Sequence, residues 1–251
     1  MKKHFQKSSD VIKAYSEGLI YPDIRDDNLV RMTLGEINTY LNFLEIILKR
    51  YEQIGEEYGQ INKQLQASMS EKEATMTPVQ MELWDKLGLQ GASLRLEIET
   101  FFLFAHILLN KITNYSERYF IQEYKRGIKC GSHHKFWNSV NEKGYFDPLD
   151  PNLKEKAEWL QTNVVGHRDH LITHTIEKEQ HKRMLVKGIS FPRDGKGFST
   201  LSVTLYPDEK INDQSSSISP EEIIPVLEDY IELYFQFLKD NINKSIFAPK
   251  V

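Results

Sequence analysis

Beginning at Ile37, apolar residues recur at every third or fourth position: Ile37, Leu41, Leu44, Leu48, Tyr51, Ile54, Tyr58, Ile61 and Leu65. Steps of three and four place them on one stripe of an α-helix. Carried from residue 33 to residue 68, that helix is about 50 Å long. Only one side of it is apolar, so it must lie along a neighbour as the arm of a bundle. A second run, residues 93–125, supplies the neighbour. Leu94, Ile98, Phe101, Phe102, Phe104, Ala105, Leu108 and Ile112 leave hardly any polar face in its middle, the pattern of a central helix or of one at a subunit contact. The stretch from Ser70 to Gly91 offers a reversal with one short helix, opened by Thr77-Pro78 and ending near Gly88. Two long helices packed nearly antiparallel are the expectation.

The rest of the chain is punctuated in the same way. Ser9 reads as the cap of a short helix running to Gly18, and Thr33-Leu34-Gly35-Glu36 as a capping box. Gly127 and Gly131 break the chain. Ser132 caps a short helix through Val140, and Asp150-Pro151 opens another on Leu153, Ala157, Trp159 and Leu160. Gly166 interrupts it. Two β-like runs follow, Met184–Phe191 and Phe198–Leu205, with the turn dipeptide Asp194-Gly195 between them. Ser219-Pro220-Glu221-Glu222 starts a last helix carrying Ile223, Leu227, Tyr230, Ile231, Tyr234 and Leu238. The expected fold class is all-α: an N-terminal helical extension over residues 1–90, then a helical bundle over 91–251 that includes a small β-hairpin at about 184–206, forming one compact unit.

Composition narrows the classes of function. A chain of 251 residues can bury a core without cross-links or metals. Cys130 is its single cysteine, so an intramolecular disulfide is impossible, which suits a reducing cytoplasm. The N-terminus leads into polar sequence rather than a secretory signal. The most apolar segment, Phe101–Leu109, is far shorter than the roughly 20 residues of a membrane span, so no membrane partner is expected. The net charge of −4 gives no global attraction for nucleic acid, yet residues 111–135 and 178–196 each hold six basic side chains against two acidic ones. Such patches attract phosphate, or serve as solvated faces.

The segment His167-Arg168-Asp169-His170-Leu171-Ile172-Thr173-His174 is where chemistry concentrates. On a helix His167, His170 and His174 share one face, which His181 would extend. Arg168 is long enough to lean over the same rim, and Lys182 and Arg183 follow closely. Arginine grips phosphate with a planar fork, and histidine moves protons near neutral pH. The competing structural reading makes Arg168 and His174 a capping pair. His170 and His174 also have the spacing of metal ligands, but the segment lacks a His-Glu-x-x-His and a cysteine pair, and its one carboxylate, Asp169, lies on another face. No metal or cofactor is expected. Elsewhere, His133-His134 reads as surface, and Glu97 or Glu99 as a candidate ion-pair partner for Arg168.

Arg168-Asp169, three intervening residues, Thr173 and then His174 resemble the signature of the HEPN-domain superfamily, in which an arginine and a polar residue precede a histidine by four to six positions. Glu97–Lys111 is similar to that family's central helix, and Pro220–Asn241 to its closing helix, so the resemblance spans roughly residues 90–242. It implies an up-and-down helical bundle that dimerises. It also implies a metal-independent endoribonuclease of stress or phage defence, the two Arg–His motifs facing each other across the dimer cleft. His174 would transfer protons, Arg168 would hold the scissile phosphate, and Asp169 would position Arg168. His167, His170, His181, Lys182 and Arg183 would touch RNA. The implied partners are RNA, a second copy of the chain, and an antitoxin or other defence protein. Some family members lack catalysis and act as binding or dimerisation modules, which is the alternative reading.

Overall fold

A computed structural model describes residues 4–19, 24–69, 75–120, 127, 131–144, 146, 149–166, 183–189, 201–206 and 217–247; for 24–29, 143, 183–189, 201–206 and 217 it describes the backbone alone. The described chain is mostly helical. Its helices are α1 (Gln6–Glu17), α2 (Ile24–Ser68), α3 (Pro78–Tyr119), α4 (His133–Lys143), α5 (Pro151–Leu160) and α6 (Pro220–Asp240). A π-helical turn, Gln161–Val165, continues α5, and a 3₁₀ turn, Ile242–Lys244, follows α6. Strand β1 (Arg183–Ile189) pairs antiparallel with β2 (Leu201–Tyr206), and β2 with β3 (Ser217–Ile218). The dipeptide Asp194-Gly195 lies outside the described residues.

The chain divides into two compact units. The first comprises residues 1–45, 102–169 and 222–251, and the second 46–101 and 170–221. Both long helices contribute to each. In the first unit the beginning of α2 runs antiparallel to the end of α3: Lys111 Nζ reaches Glu36 Oε2 at 2.8 Å, and Tyr40 packs on Phe104 with ring centroids 5.8 Å apart. In the second, the remainder of α2 meets the beginning of α3 in the same sense. Arg50 bonds Glu97 at 2.8 Å, Gln90 bonds Glu57 at 2.8 Å, and Gln80 Nε2 donates to Ser68 O at 2.6 Å.

Three helices differ from expectation, α3 in its continuity and α1 and α2 in their starts. The α3 helix is continuous through Gly88 and Gly91, where the sequence suggests a break. Each glycine costs such a helix about 1 kcal/mol relative to alanine, and Leu87, Leu94 and Ile98 are buried on its stripe; burial of that kind outweighs two glycines. The true start is at Thr77, whose hydroxyl accepts from the Gln80 amide while Gln80 Oε1 accepts from the Thr77 amide at 2.7 Å, a reciprocal capping box. Thr33 is interior to α2 rather than its cap, because the helix already begins at Ile24. Likewise α1 begins at Gln6, with the buried Phe5 before it, and Ser9 lies inside.

The core of the first unit is aromatic. Tyr15, Tyr115, Tyr119, Tyr230, Tyr234, Phe101, Phe102 and Phe235 are among the largest fully buried side chains; all but Phe101 lie in this unit. Their hydroxyls are satisfied: Tyr234 Oη donates to Ile112 O at 2.7 Å and meets Ser116 Oγ, Tyr119 Oη donates to Leu238 O at 2.9 Å, and Tyr15 pairs with Tyr115 at 3.2 Å. Burial raises the pKa of Tyr15 and Tyr230 far above the ordinary range, so both stay neutral.

Candidate functional site

His167, Arg168, Asp169, His170, His174, His181 and Lys182 lie outside the described residues, and Arg183 is described only as backbone at the start of β1. The described structure carries the chain up to the motif. Asp150 caps α5 by accepting from the Asn152 amide at 2.8 Å, with Pro151 at the first helical position. Leu153, Ala157 and Leu160 anchor its inner face. The helix then widens into the π-turn Gln161–Val165, with Val164 and Val165 buried. Such turns insert one residue and are common beside functional sites. Gly166 does not interrupt the chain as expected: it keeps helical angles, φ −58° and ψ −44°, and His167 is the next residue.

The π-turn is tied inward through its first residue. Gln161 Oε1 lies 3.1 Å from His133 Nδ1; an amide oxygen only accepts, so Nδ1 carries the proton. The His133 backbone amide donates to Asn110 Oδ1 at 2.9 Å, and Asn110 Nδ2 donates to His106 Nε2 at 2.9 Å. One chain of hydrogen bonds thus links α3, α4 and the turn that leads to the motif. His133 is 1% exposed and packs edge-on against Tyr230, with centroids 5.5 Å apart. Its Nε2 has no hydrogen-bond partner among the described residues. Burial pushes its pKa down to about 4, against the Gln161 bond, which raises it; nearby His106 and His134 add smaller lowering effects. His133 is therefore a neutral base with a buried lone pair at neutral pH.

The expectation that His133 and His134 both face solvent holds for His134, which bonds Asn138 at 2.9 Å, and fails for His133. The signal was present in the sequence. His133, Phe136, Trp137 and Val140 fall at steps of three, one and three, one face of a helix, and all four are buried. Glu97 is buried and pairs with Arg50, and Glu99 pairs with Arg95 at 2.7 Å; Arg168, for which both are candidate partners, lies outside the described residues. Cys130 lies outside the described residues. Of the three tryptophans, Trp137 is core and donates to Tyr230 Oη at 3.1 Å, while Trp84 is 58% exposed.

A groove of about 740 Å³ lies between α1 and the first half of α2, lined among others by Asp10, Lys13, Asn38, Asn42 and Glu45. Its mixed charges select no one class of ligand. No group of three or more His, Cys, Asp or Glu among the described residues is arranged to hold a metal ion. None of the described helices is long and apolar enough to cross a membrane. No protein-family model matches the chain, and neither a curated protein nor a solved structure matches it.

Proposed function

We propose that the chain is a metal-independent endoribonuclease of HEPN type, an all-α bundle with a β-hairpin insertion that acts in stress or phage defence. The observation that carries this reading is the spacing Arg168-Asp169-x-x-x-Thr173-His174, which begins shortly after a π-turn hydrogen-bonded to the core. In the reaction, the RNA 2′-hydroxyl attacks the adjacent phosphorus, the bond to the 5′-oxygen breaks, and the products are a 2′,3′-cyclic phosphate and a 5′-hydroxyl. His174 moves the protons, one off the 2′-oxygen and one onto the leaving oxygen. Arg168 binds the phosphate and the charge that develops on it. Asp169 positions Arg168. His167, His170, His181, Lys182 and Arg183 contact RNA, and the two motifs of a homodimer share a cleft. An antitoxin or other defence protein is the partner that restrains it in the cytoplasm.

The test is total RNA incubated with the full chain in excess chelator. Cleavage by wild type is expected to persist, and His174→Ala and Arg168→Ala are each expected to lower it roughly a hundredfold or more with the circular dichroism spectrum unchanged. If wild type leaves all RNA intact, or both variants cut as fast as wild type, the nuclease reading is wrong and a non-catalytic HEPN-like binding module takes its place. Variants that melt many degrees lower would make the Arg–His pair structural.

A further inference from the structure

The beginning of α3 buries Leu87, Leu94, Ile98 and Phe101 along one stripe, yet it also shows large apolar side chains to solvent. Met81 is 53% exposed, Trp84 58%, Leu89 70% and Leu96 62%. At 100° per residue, Met81, Trp84, Leu89 and Leu96 fall in one sector of the helix, turned away from the buried stripe. Between them on that sector lie the exposed Gly88 and Ala92. A side chain at Gly88 would meet nothing within 4 Å. Single exposed apolar residues need no explanation, but a contiguous set does.

Part of this face is mirrored about Gln90, although Met81 and Leu89 have Glu99 and Gly91 as their counterparts. Gly88 and Ala92 stand two positions either side of it, Asp85 and Arg95 five, Trp84 and Leu96 six. A two-fold contact between antiparallel copies of one helix brings together residues equally far from the axis. Asp85 of one copy then lies level with Arg95 of the other, and Trp84 with Leu96, twice over. The small residues stand at the crossing, where close approach of two helices requires them. Arg95 engages Glu99 through Nε at 2.7 Å, so its terminal amino groups are the ones that extend to Asp85 and to the face of Trp84 across the axis. An unrelated partner would have no need of opposite charges at matched distances from one point.

We infer that this face of α3, from Met81 to Leu96, is a self-association surface whose occupant is the same face of a second copy of the chain, antiparallel and centred near Gln90. The contact lies wholly within the second unit, and it is argued from the exposed face of α3 rather than from the Arg168–His174 motif. Because the nuclease reading also calls for a homodimer, a single-chain mass counts against both, whereas RNA left uncut by a dimer that Trp84→Glu disrupts counts against the nuclease reading alone.

The test is sedimentation velocity on the full chain across the micromolar range. Wild type is expected at twice the 29.4 kDa chain mass, and Trp84→Glu at the single-chain mass. Asp85→Arg and Arg95→Asp place like charges opposite each other in both halves of the contact. Each alone is expected to weaken association about tenfold or more. Mixed in equal amounts, they restore both pairings and should form a one-to-one dimer that neither forms alone. Both substitutions are at exposed positions, and unchanged helicity by circular dichroism confirms that the fold is intact. Wild type at the single-chain mass throughout overturns the inference. So does a dimer indifferent to Trp84→Glu, or a mixture that associates no better than its separate components.

Discussion

His133 concentrates what this fold does with a single residue. It is buried, donates from Nδ1 to Gln161 and holds a lone pair that no described group meets. Its pKa falls from the ordinary 6.5 to about 4. The folded state therefore favours the neutral ring, and between those two values the unfolded chain binds the extra proton. Stability from this group is complete above pH 6.5 and is lost as the pH falls toward 4. The amount is on the order of 3 kcal/mol, because each tenfold loss of proton affinity corresponds to about 1.4 kcal/mol. Urea unfolding at stepped pH should show that loss in wild type, and His133→Gln should flatten the profile over the same window while lowering stability at neutral pH. A wild-type profile flat from pH 6.5 to 4 would show that the ring is not held neutral. Tyr234 makes a second prediction at this scale. Tyr234→Phe removes the hydroxyl that donates to Ile112 O and meets Ser116, and should cost about 1–3 kcal/mol; an unchanged denaturation midpoint would contradict it.

Among the elements, α2 and α3 show how far periodicity reaches. Their stripes of three and four were legible at once, as was their antiparallel pairing through the reversal between them. Gly88 and Gly91 misled, because both sit inside α3, as Gly35 sits inside α2. A glycine tolerated by burial of its neighbours leaves stability to be gained. A Cβ at Gly35 would meet nothing within 4 Å, so Gly35→Ala should stabilise the protein by about 0.5–1 kcal/mol. Differential scanning calorimetry would register that as a Tm roughly 2 °C higher; a lower Tm would mean that the position needs the freedom of glycine. The helix caps were read unevenly. Ser132, Asp150 and Thr77 cap α4, α5 and α3 as their sequences suggest. Ser9 and Thr33 carry the same chemistry but fall inside helices, since a capping residue acts only where the apolar stripe also begins.

In the whole molecule, the chain is divided across its long helices rather than between successive segments. Each unit takes part of α2 and part of α3, so neither can be cut out as one stretch of sequence. The aromatic core of the first unit is its strongest commitment. Phe102→Ala, at a side chain with no exposure, should cost roughly 3–5 kcal/mol. For a domain held together by that core the loss should appear as a large drop in the urea midpoint, and a change under about 1 kcal/mol would mean that the site collapses around the missing ring.

The sequence by itself determined the helical class, the two long antiparallel arms, the caps at Thr77, Ser132 and Asp150 and the closing helix on Ile223 to Leu238, because periodic burial and local capping are properties of neighbouring residues. It also placed the Arg168–His174 segment directly after the helix that begins at Pro151, and the roles proposed for that segment rest on sequence alone. What only the tertiary structure decided involves partners far apart in the chain. Glu97 is matched to Arg50 across 47 residues, and Tyr234 to Ile112 across 122. His133 is held neutral by packing against Tyr230 and by Gln161, and Trp84 is left on the surface although its neighbours Leu87 and Leu94 are buried. The physical reason is that a hydrogen bond, a desolvation cost or an exposed face depends on which distant side chain comes to lie opposite, and no local pattern encodes that.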